Sequence, residues 1–88
     1  MIERVQPAGD PESALRDAGL DPRWWSAEPY AHFATHSHPR AKRLFVVRGS
    51  VMFNDMTLEA PAGIRISAGF EHHAHAGRDG VECVEAFE

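Results

Sequence analysis

This sequence of 88 residues has only one cysteine and no excess of positive charge. Its one cysteine, Cys83, has no partner within the chain, which excludes the disulfide framework of small secreted domains and favours a reducing, cytoplasmic location. Nine lysines and arginines against thirteen acidic residues give a formal net charge of -4. Because domains that bind nucleic acid are normally basic, with clustered positive charge, we expect no nucleic-acid partner.

Long apolar runs and several catalytic motifs are also missing. The strongest apolar run, 44–47, is far too short to cross a bilayer, and residues 1–5 lack the apolar core of a signal peptide. We therefore expect a soluble protein without a membrane partner. No Ser-His-Asp order, glycine-rich phosphate loop or CxxC pair is present, so nucleophilic and nucleotide chemistry have no support.

Local signals predict one helix followed by short strands. Asp10 fits an N-cap, Pro11 the first helical position and Gly19 a stop, which predicts a helix over about 11–18. After it, short runs rich in β-branched or aromatic residues alternate with turn signals, and they predict strands over 30–36, 43–48, 50–54, 64–67, 71–76 and 81–87. Many short strands favour a closed barrel or a sandwich, because an open sheet leaves exposed edges.

The length allows one small hydrophobic core, so we expect a single domain over 1–88. Without a disulfide, its stability has to come from packing, from an oligomer interface or from a metal. We predict a homodimer in which the N-terminal segment, or the strand that holds Trp24 and Trp25, adds to the partner. Cys83 is predicted to be a small, mostly buried hydrophobe.

Histidines are clustered in two groups, which are His32, His36 and His38, then His72, His73 and His75. Residues two apart on a strand face the same side, so the first three share one parity. Three neutral imidazoles, two from the first group and one from the second, suit zinc, ferrous iron, nickel or copper, and manganese less well. The alternative is that the histidines form a solvated face or a packed pair. His73 and His75 have the opposite parity to His72 and are predicted to lie on the surface, and His32 is predicted to be structural.

The wider spacing resembles the two motifs of the cupin superfamily. The first motif of that family is HxH, then Glu after three or four residues, then Gly after six more, and His36, His38 and Gly49 match it. The second ends in Pro-x-Gly-x-x-His, which Gly69 and His72 match. The resemblance covers nearly all of the chain beyond the helix and is to the small single-domain bacterial cupins.

This resemblance implies an all-β fold, a small antiparallel β-barrel of the double-stranded β-helix or jelly-roll type with one short N-terminal helix. Residues 1–22 would form an N-terminal arm with the helix, and residues 23–88 the barrel. The resemblance also implies that His36, His38 and His72 are the residues that converge on a metal.

The chain departs from the family pattern at one ligand position. Lys42 stands where the family has a metal-binding Glu, so three histidines are the most that this chain offers. Other departures are Ser67 for Pro, Ala76 for Asn and Tyr30 for Gly. An ammonium group beside a divalent ion is repelled, so Lys42 either turns away, loses its proton or takes the place of the metal.

Two hypotheses for function follow, and both leave catalysis open. In the first, His36, His38 and His72 hold one divalent transition metal, and Lys42 or Arg43 binds an anionic group of a small molecule beside it. In the second, no metal is bound, and Lys42 and the histidines line the pocket of a small-molecule binding or sensor module. A third possibility is that Lys42 lies at the rim and has no chemical role.

Overall fold

Antiparallel strands dominate the computed structural model, which describes residues 1–88. The elements along the chain are β1 (Ile2–Val5), α1 (Pro11–Asp17), β2 (Arg23–Ala27), β3 (His32–His36), β4 (Lys42–Phe53), β5 (Met56–Glu59), β6 (Ala62–Ile66) and β7 (His72–Phe87). Every strand pair is antiparallel. The predicted all-β class with one short N-terminal helix is therefore confirmed.

Helix α1 begins as its sequence predicts. The Asp10 side chain accepts a hydrogen bond from the Ser13 backbone N–H at 3.1 Å, and Pro11 occupies the first turn. Leu15 is fully buried against Phe45 and Val84, which lie on the outer face of the sheet. The helix therefore covers that face of the sheet. Its seven residues are too few to cross a membrane.

Two long strands, β4 and β7, organise the sheet. Its main path runs β1-β6-β4-β7-β2, while β3 pairs with the other half of β7 and β5 with the other half of β4. Each long strand thus belongs to two layers, and shifts of register near 46–48 and 49–51 mark the bend between them. The sequence predicted each as two separate strands. The sheet is an open path and does not close into a barrel by hydrogen bonds.

Glycine residues explain why β4 and β7 continue through the bend as single strands, where the sequence predicted a turn between two strands. Gly49 and Gly80 both have positive φ, at 74° and 75°, and the β4–β7 register places Gly49 opposite Val81, the residue after Gly80. A Cβ on Gly49 would lie 2.0 Å from the Gly80 carbonyl oxygen, so no side chain fits there. The two backbones touch, and both strands continue through the bend.

The main core lies between the two layers. It contains twelve buried residues drawn mainly from β4, β6 and β7: Leu44, Val46, Val51, Phe53, Leu58, Ala62, Ile64, Ile66, Ala74, Ala76, Val81 and Cys83. Cys83 is fully buried, as predicted, and burial raises the pKa of its thiol to about 12. A neutral, inaccessible thiol at this position acts as a packing group.

Two strands, β1 and β5, were not predicted from the sequence, and β2 was expected only as the strand that holds Trp24 and Trp25. β1 lies within the predicted N-terminal arm and pairs with β6, while β2 pairs with β7 and β5 with β4. These strands have only four or five residues and several exposed polar side chains. Their pairing depends on distant strands that a short local pattern does not reveal.

Candidate metal centre

Three histidines meet at one end of the space between the layers. His36 ends β3, His38 lies in the loop that follows, and His72 begins β7. His36 and His72 are direct partners in the β3–β7 pair, so they come from neighbouring strands and do not face each other across a barrel. The ligand nitrogens of the three side chains all lie within 4.8 Å of one another. The chain therefore has a group of three histidines that can hold a metal ion.

An irregularity in β3 aims His36 at this group. Phe33 lies opposite Ala74 and packs against the core, and the register then shifts before His36 meets His72. Without the shift, residues 33 and 36 would face opposite sides of the sheet. Their common direction shows that simple parity, which placed His32 with His36, does not hold in this strand.

Backbone carbonyls fix the orientation of two of the rings. His36 Nδ1 lies 2.7 Å from the Ala34 carbonyl oxygen, and His72 Nδ1 lies 3.0 Å from that of Phe70. A carbonyl only accepts hydrogen bonds, so each Nδ1 carries the proton and donates it. With the proton on Nδ1, the Nε2 atom is the one that can offer a lone pair, which is the arrangement that metal-binding histidines adopt.

Two of these nitrogens are buried without a partner. The Nε2 atoms of His38 and His72 are inaccessible to solvent and make no hydrogen bond. A buried polar atom left unpaired costs about 1 to 3 kcal/mol, so such atoms usually have a hydrogen-bond partner. These residues fit a transition-metal ion, which accepts electron pairs from imidazole nitrogen.

The surroundings of His38 and His72 lower the pKa of both rings and so favour the neutral form that binds metal. Burial is the largest cause that lowers the pKa of His72 and of His38, and the charge of Lys42 and the neighbouring imidazoles lower them further. Glu85 acts in the opposite direction on the pKa of His38, and the hydrogen bond to the Phe70 carbonyl does so on the pKa of His72. Neutral rings are what a metal ion requires.

Contacts with the second motif and with β7 hold the loop of His38. The Gly69 backbone N–H donates to the His38 carbonyl at 2.7 Å, in a turn where Gly69 has a φ of 75°. The His38 ring lies edge-on to Phe87, with the ring centres 5.3 Å apart. The two segments that resemble the cupin motifs are thus joined through the backbone.

A cavity of about 200 Å³ adjoins His36 and His72. Aromatic side chains of Trp25, Phe33 and Phe53 form much of its wall. The remaining wall is Ala74 and the two charged residues Lys42 and Glu85. The space suits a small molecule with an apolar part.

Lys42 is buried and paired. Its Nζ lies 3.2 Å from Glu85 Oε1, and the two side chains are 8% and 16% exposed. Trp25 Nε1 donates to the same carboxylate oxygen at 2.6 Å. We considered above that Lys42 turns away from a metal, loses its proton or takes the place of the metal. The structure favours the first of these, because the ammonium group is turned toward a carboxylate. The rim position does not fit, since Lys42 is only 7% exposed.

Sequence reasoning did not single out Glu85 as part of the site. It lies on β7, two residues after the buried Cys83, and its side chain also faces inward. The sequence did offer one signal for Glu85, which is a glutamate at an inward position of a strand. A buried carboxylate needs a partner, so such a position indicates a buried polar site. The partner comes from β4, 43 positions earlier in the chain, which local patterns do not show.

Arg43 does not line the cavity, although it was predicted to bind an anionic group beside Lys42. It lies on the opposite face of β4, where its Nε donates to Glu88 at 2.8 Å. Arg65 donates to the same carboxylate through Nε and Nη2, both at 2.8 Å. The Arg43 side chain therefore belongs to an ion-pair cluster outside the site.

The other three histidines lie away from the group. His73 and His75 are half-buried on the outer face of β7, and His32 is exposed and pairs with His75. The His73 backbone N–H donates to Asn54 Oδ1 at 3.1 Å. These positions agree with the prediction of surface or structural roles.

Comparison with known proteins identifies the fold and no family. No family model matches the chain, and no curated protein matches it. A chain in the crystal structure of Rhodobacter sphaeroides SigE in complex with the anti-sigma ChrR superposes with a TM-score of 0.71 at 15% identity. The match covers 99% of this chain but 44% of that one, so this chain spans less than half of that neighbour's length. At this identity the similarity shows the fold alone, and the antiparallel fold is compatible with the resemblance to cupins.

Proposed function

We propose that this protein is a cupin-type metal-binding protein that holds one divalent transition metal through His36, His38 and His72. The carrying observation is the pair of buried Nε2 atoms on His38 and His72 that have no hydrogen-bond partner. The backbone carbonyls that fix the Nδ1 protons of His36 and His72 support the same conclusion.

Imidazole nitrogen suits zinc, ferrous iron, nickel and copper, and manganese less well. Three protein ligands leave at least one coordination position for water or a small molecule, as in catalytic sites. When bound, such an ion acts as a Lewis acid toward a ligand oxygen. The aromatic cavity beside His36 and His72 gives that ligand a place to bind.

An anionic ligand fits the charges of this site. Three neutral imidazoles would leave the full charge of a divalent ion uncompensated. The ammonium group of Lys42 is already balanced by Glu85, so the pair adds no net charge to the cavity wall. We infer that the protein binds a small molecule with a carboxylate or similar anionic group and an apolar portion that contacts Trp25, Phe33 and Phe53.

Metal analysis of protein prepared without a histidine tag or chelator tests the proposal. We expect about one transition metal per chain, or stoichiometric uptake of Zn²⁺ by the metal-free protein in titration calorimetry. His38→Ala and His72→Ala should abolish uptake, whereas His75→Ala, which removes an outer-face histidine from the same strand as His72, should leave it intact. A wild-type protein that neither contains nor takes up a metal would contradict the proposal.

The alternative function is a metal-free sensor module that acts on a separate protein. The observation that favours it is the presence of Lys42 in the wall of the cavity beside His36 and His72. The structural neighbour is described in complex with another protein, which is compatible with such a role. Thermal shifts with a panel of small carboxylates, with and without EDTA, separate the two functions. A shift that survives EDTA unchanged supports the sensor, and one that EDTA abolishes supports the metal site.

A further inference from the structure

An ion pair with very little solvent exposure lies in the wall of the same cavity as two of the three histidines. Lys42 and Glu85 come from β4 and β7, their charged atoms are 3.2 Å apart, and both line the cavity with His36 and His72. Trp25 Nε1 holds the same Glu85 oxygen, so the carboxylate has a fixed direction. Lys42 also lies over the Phe87 ring, 5.7 Å from its centre, and that ring contacts His38.

Stability alone is a poor reason for this pair. Removing two charges from water costs several kcal/mol per ion, and hydrophobic residues in place of a buried pair are often neutral or stabilising. Positions 42 and 85 adjoin the apolar core, where aliphatic residues would pack well. We therefore look for a role of these two charges other than stability. The histidine cluster shares the cavity with them, and its binding of a cation depends on nearby charge.

We propose, on the basis of the proposed metal site, that Lys42 and Glu85 set the affinity of the three histidines for a cation by acting in opposite directions. Glu85 attracts a cation at the histidines, and Lys42 repels it. Both side chains are largely buried, so both interactions are screened less than on the surface. Both are positioning residues, because neither is among the residues whose ligand atoms converge.

The proposal predicts a specific pattern among four proteins. Lys42→Met should tighten Co²⁺ binding by about tenfold or more, and Glu85→Gln should weaken it by a similar factor. The double variant removes both charges and should return to within about threefold of wild type. Affinities are measured by competition with a chromophoric chelator, and circular dichroism establishes that each variant is folded.

Arg43→Met is the matched control. It removes a cation from the position next to Lys42, but on the opposite face of β4, where the guanidinium is paired with Glu88. Its Co²⁺ affinity should equal that of wild type. If Lys42→Met does not fold, Lys42→Gln carries the same expectation, because it keeps a hydrogen-bond donor toward Glu85 without the charge.

Two results overturn the proposal in distinguishable ways. If the single variants bind Co²⁺ as wild type does, the pair has only a structural role, and the proposed metal site stands. If wild type and all variants fail to bind Co²⁺, the proposed metal site fails together with the pair. If the single variants have lower melting temperatures but the Co²⁺ affinity of wild type, the pair likewise has only a structural role.

Discussion

Single residues act in this protein through the face of the strand on which they lie. Lys42 and Arg43 are neighbours in sequence and both cationic, yet Lys42 faces the cavity and pairs with Glu85, while Arg43 faces outward and pairs with Glu88. Successive side chains along β4 point to opposite faces of the sheet, so the two cations lie on different sides of it. A substitution at one position should therefore leave the function of the other unchanged.

Glu88 provides a stability prediction at this scale. Hydrogen bonds from Arg65 and Arg43 lower the pKa of its carboxyl from 4.5 to about 2. A carboxylate whose folded pKa is depressed stabilises the fold above its unfolded pKa and loses that contribution as pH falls toward the folded value. The side chain is 24% exposed, so we expect Glu88→Gln to cost only about 1 kcal/mol of unfolding free energy at pH 7.

Urea unfolding at pH 7, 5, 4 and 3 measures this difference. It should be largest at pH 7 and narrow as the pH falls from about 4.5 toward 2. Glu59→Gln, which changes an exposed glutamate on β5, serves as the control and should cost little unfolding free energy at pH 7. A difference between Glu88→Gln and wild type that stays constant over this range would argue against the ion-pair account.

At the scale of elements, the bend in β4 and β7 brings two layers of sheet over one core. The bend depends on Gly49, whose backbone contacts that of Gly80. We expect Gly49→Ala to destabilise the protein by about 3 kcal/mol or more, because a Cβ would collide with a backbone carbonyl and not with the end of a flexible side chain. Urea unfolding measures the loss.

Gly19→Ala is the comparison that isolates this collision. Gly19 has a similar φ of 80°, but no atom lies within 4 Å of where its Cβ would be. Its cost should be the conformational penalty alone, about 1 to 2 kcal/mol. Equal losses in the two variants would show that the contact between β4 and β7 is less important than we propose.

At the scale of the whole molecule, the open path of the sheet ends in two edge strands, β1 and β2. Each edge strand pairs with one strand of its own chain, β1 with β6 and β2 with β7, and we choose β2 for the predicted homodimer contact because of its tryptophans. Trp25 of this strand faces the core, but Trp24 is 48% exposed. We propose a dimer in which two copies meet along β2, because an exposed edge pairs readily with another strand.

Size-exclusion chromatography with light scattering at micromolar concentration tests the dimer. We expect a mass of twice the 9.8 kDa of one chain. Trp24→Ser should shift the population toward monomer, whereas Tyr30→Ser, which changes another exposed aromatic residue outside β2, should not. A wild-type monomer under these conditions would rule out the predicted dimer.

The sequence alone determined the features that depend on neighbouring residues. Asp10 and Pro11 fixed the start of the helix through a cap that spans only four positions. The resemblance of the spacing of His36, His38 and His72 to the two cupin motifs predicted which three of six histidines come together. Burial of Cys83 followed from its place among apolar residues in a strand.

Tertiary structure decided the features that depend on residues far apart in the chain. The irregularity in β3 that aims His36, the contact of Gly49 with Gly80, and the partner of Lys42 each require two segments to be side by side. Strand parity is local, but register, bends and ion pairs are set by which strands become neighbours. For that reason the sequence predicted the three histidines, while the fold supplied Glu85 and placed Arg43 outside the site.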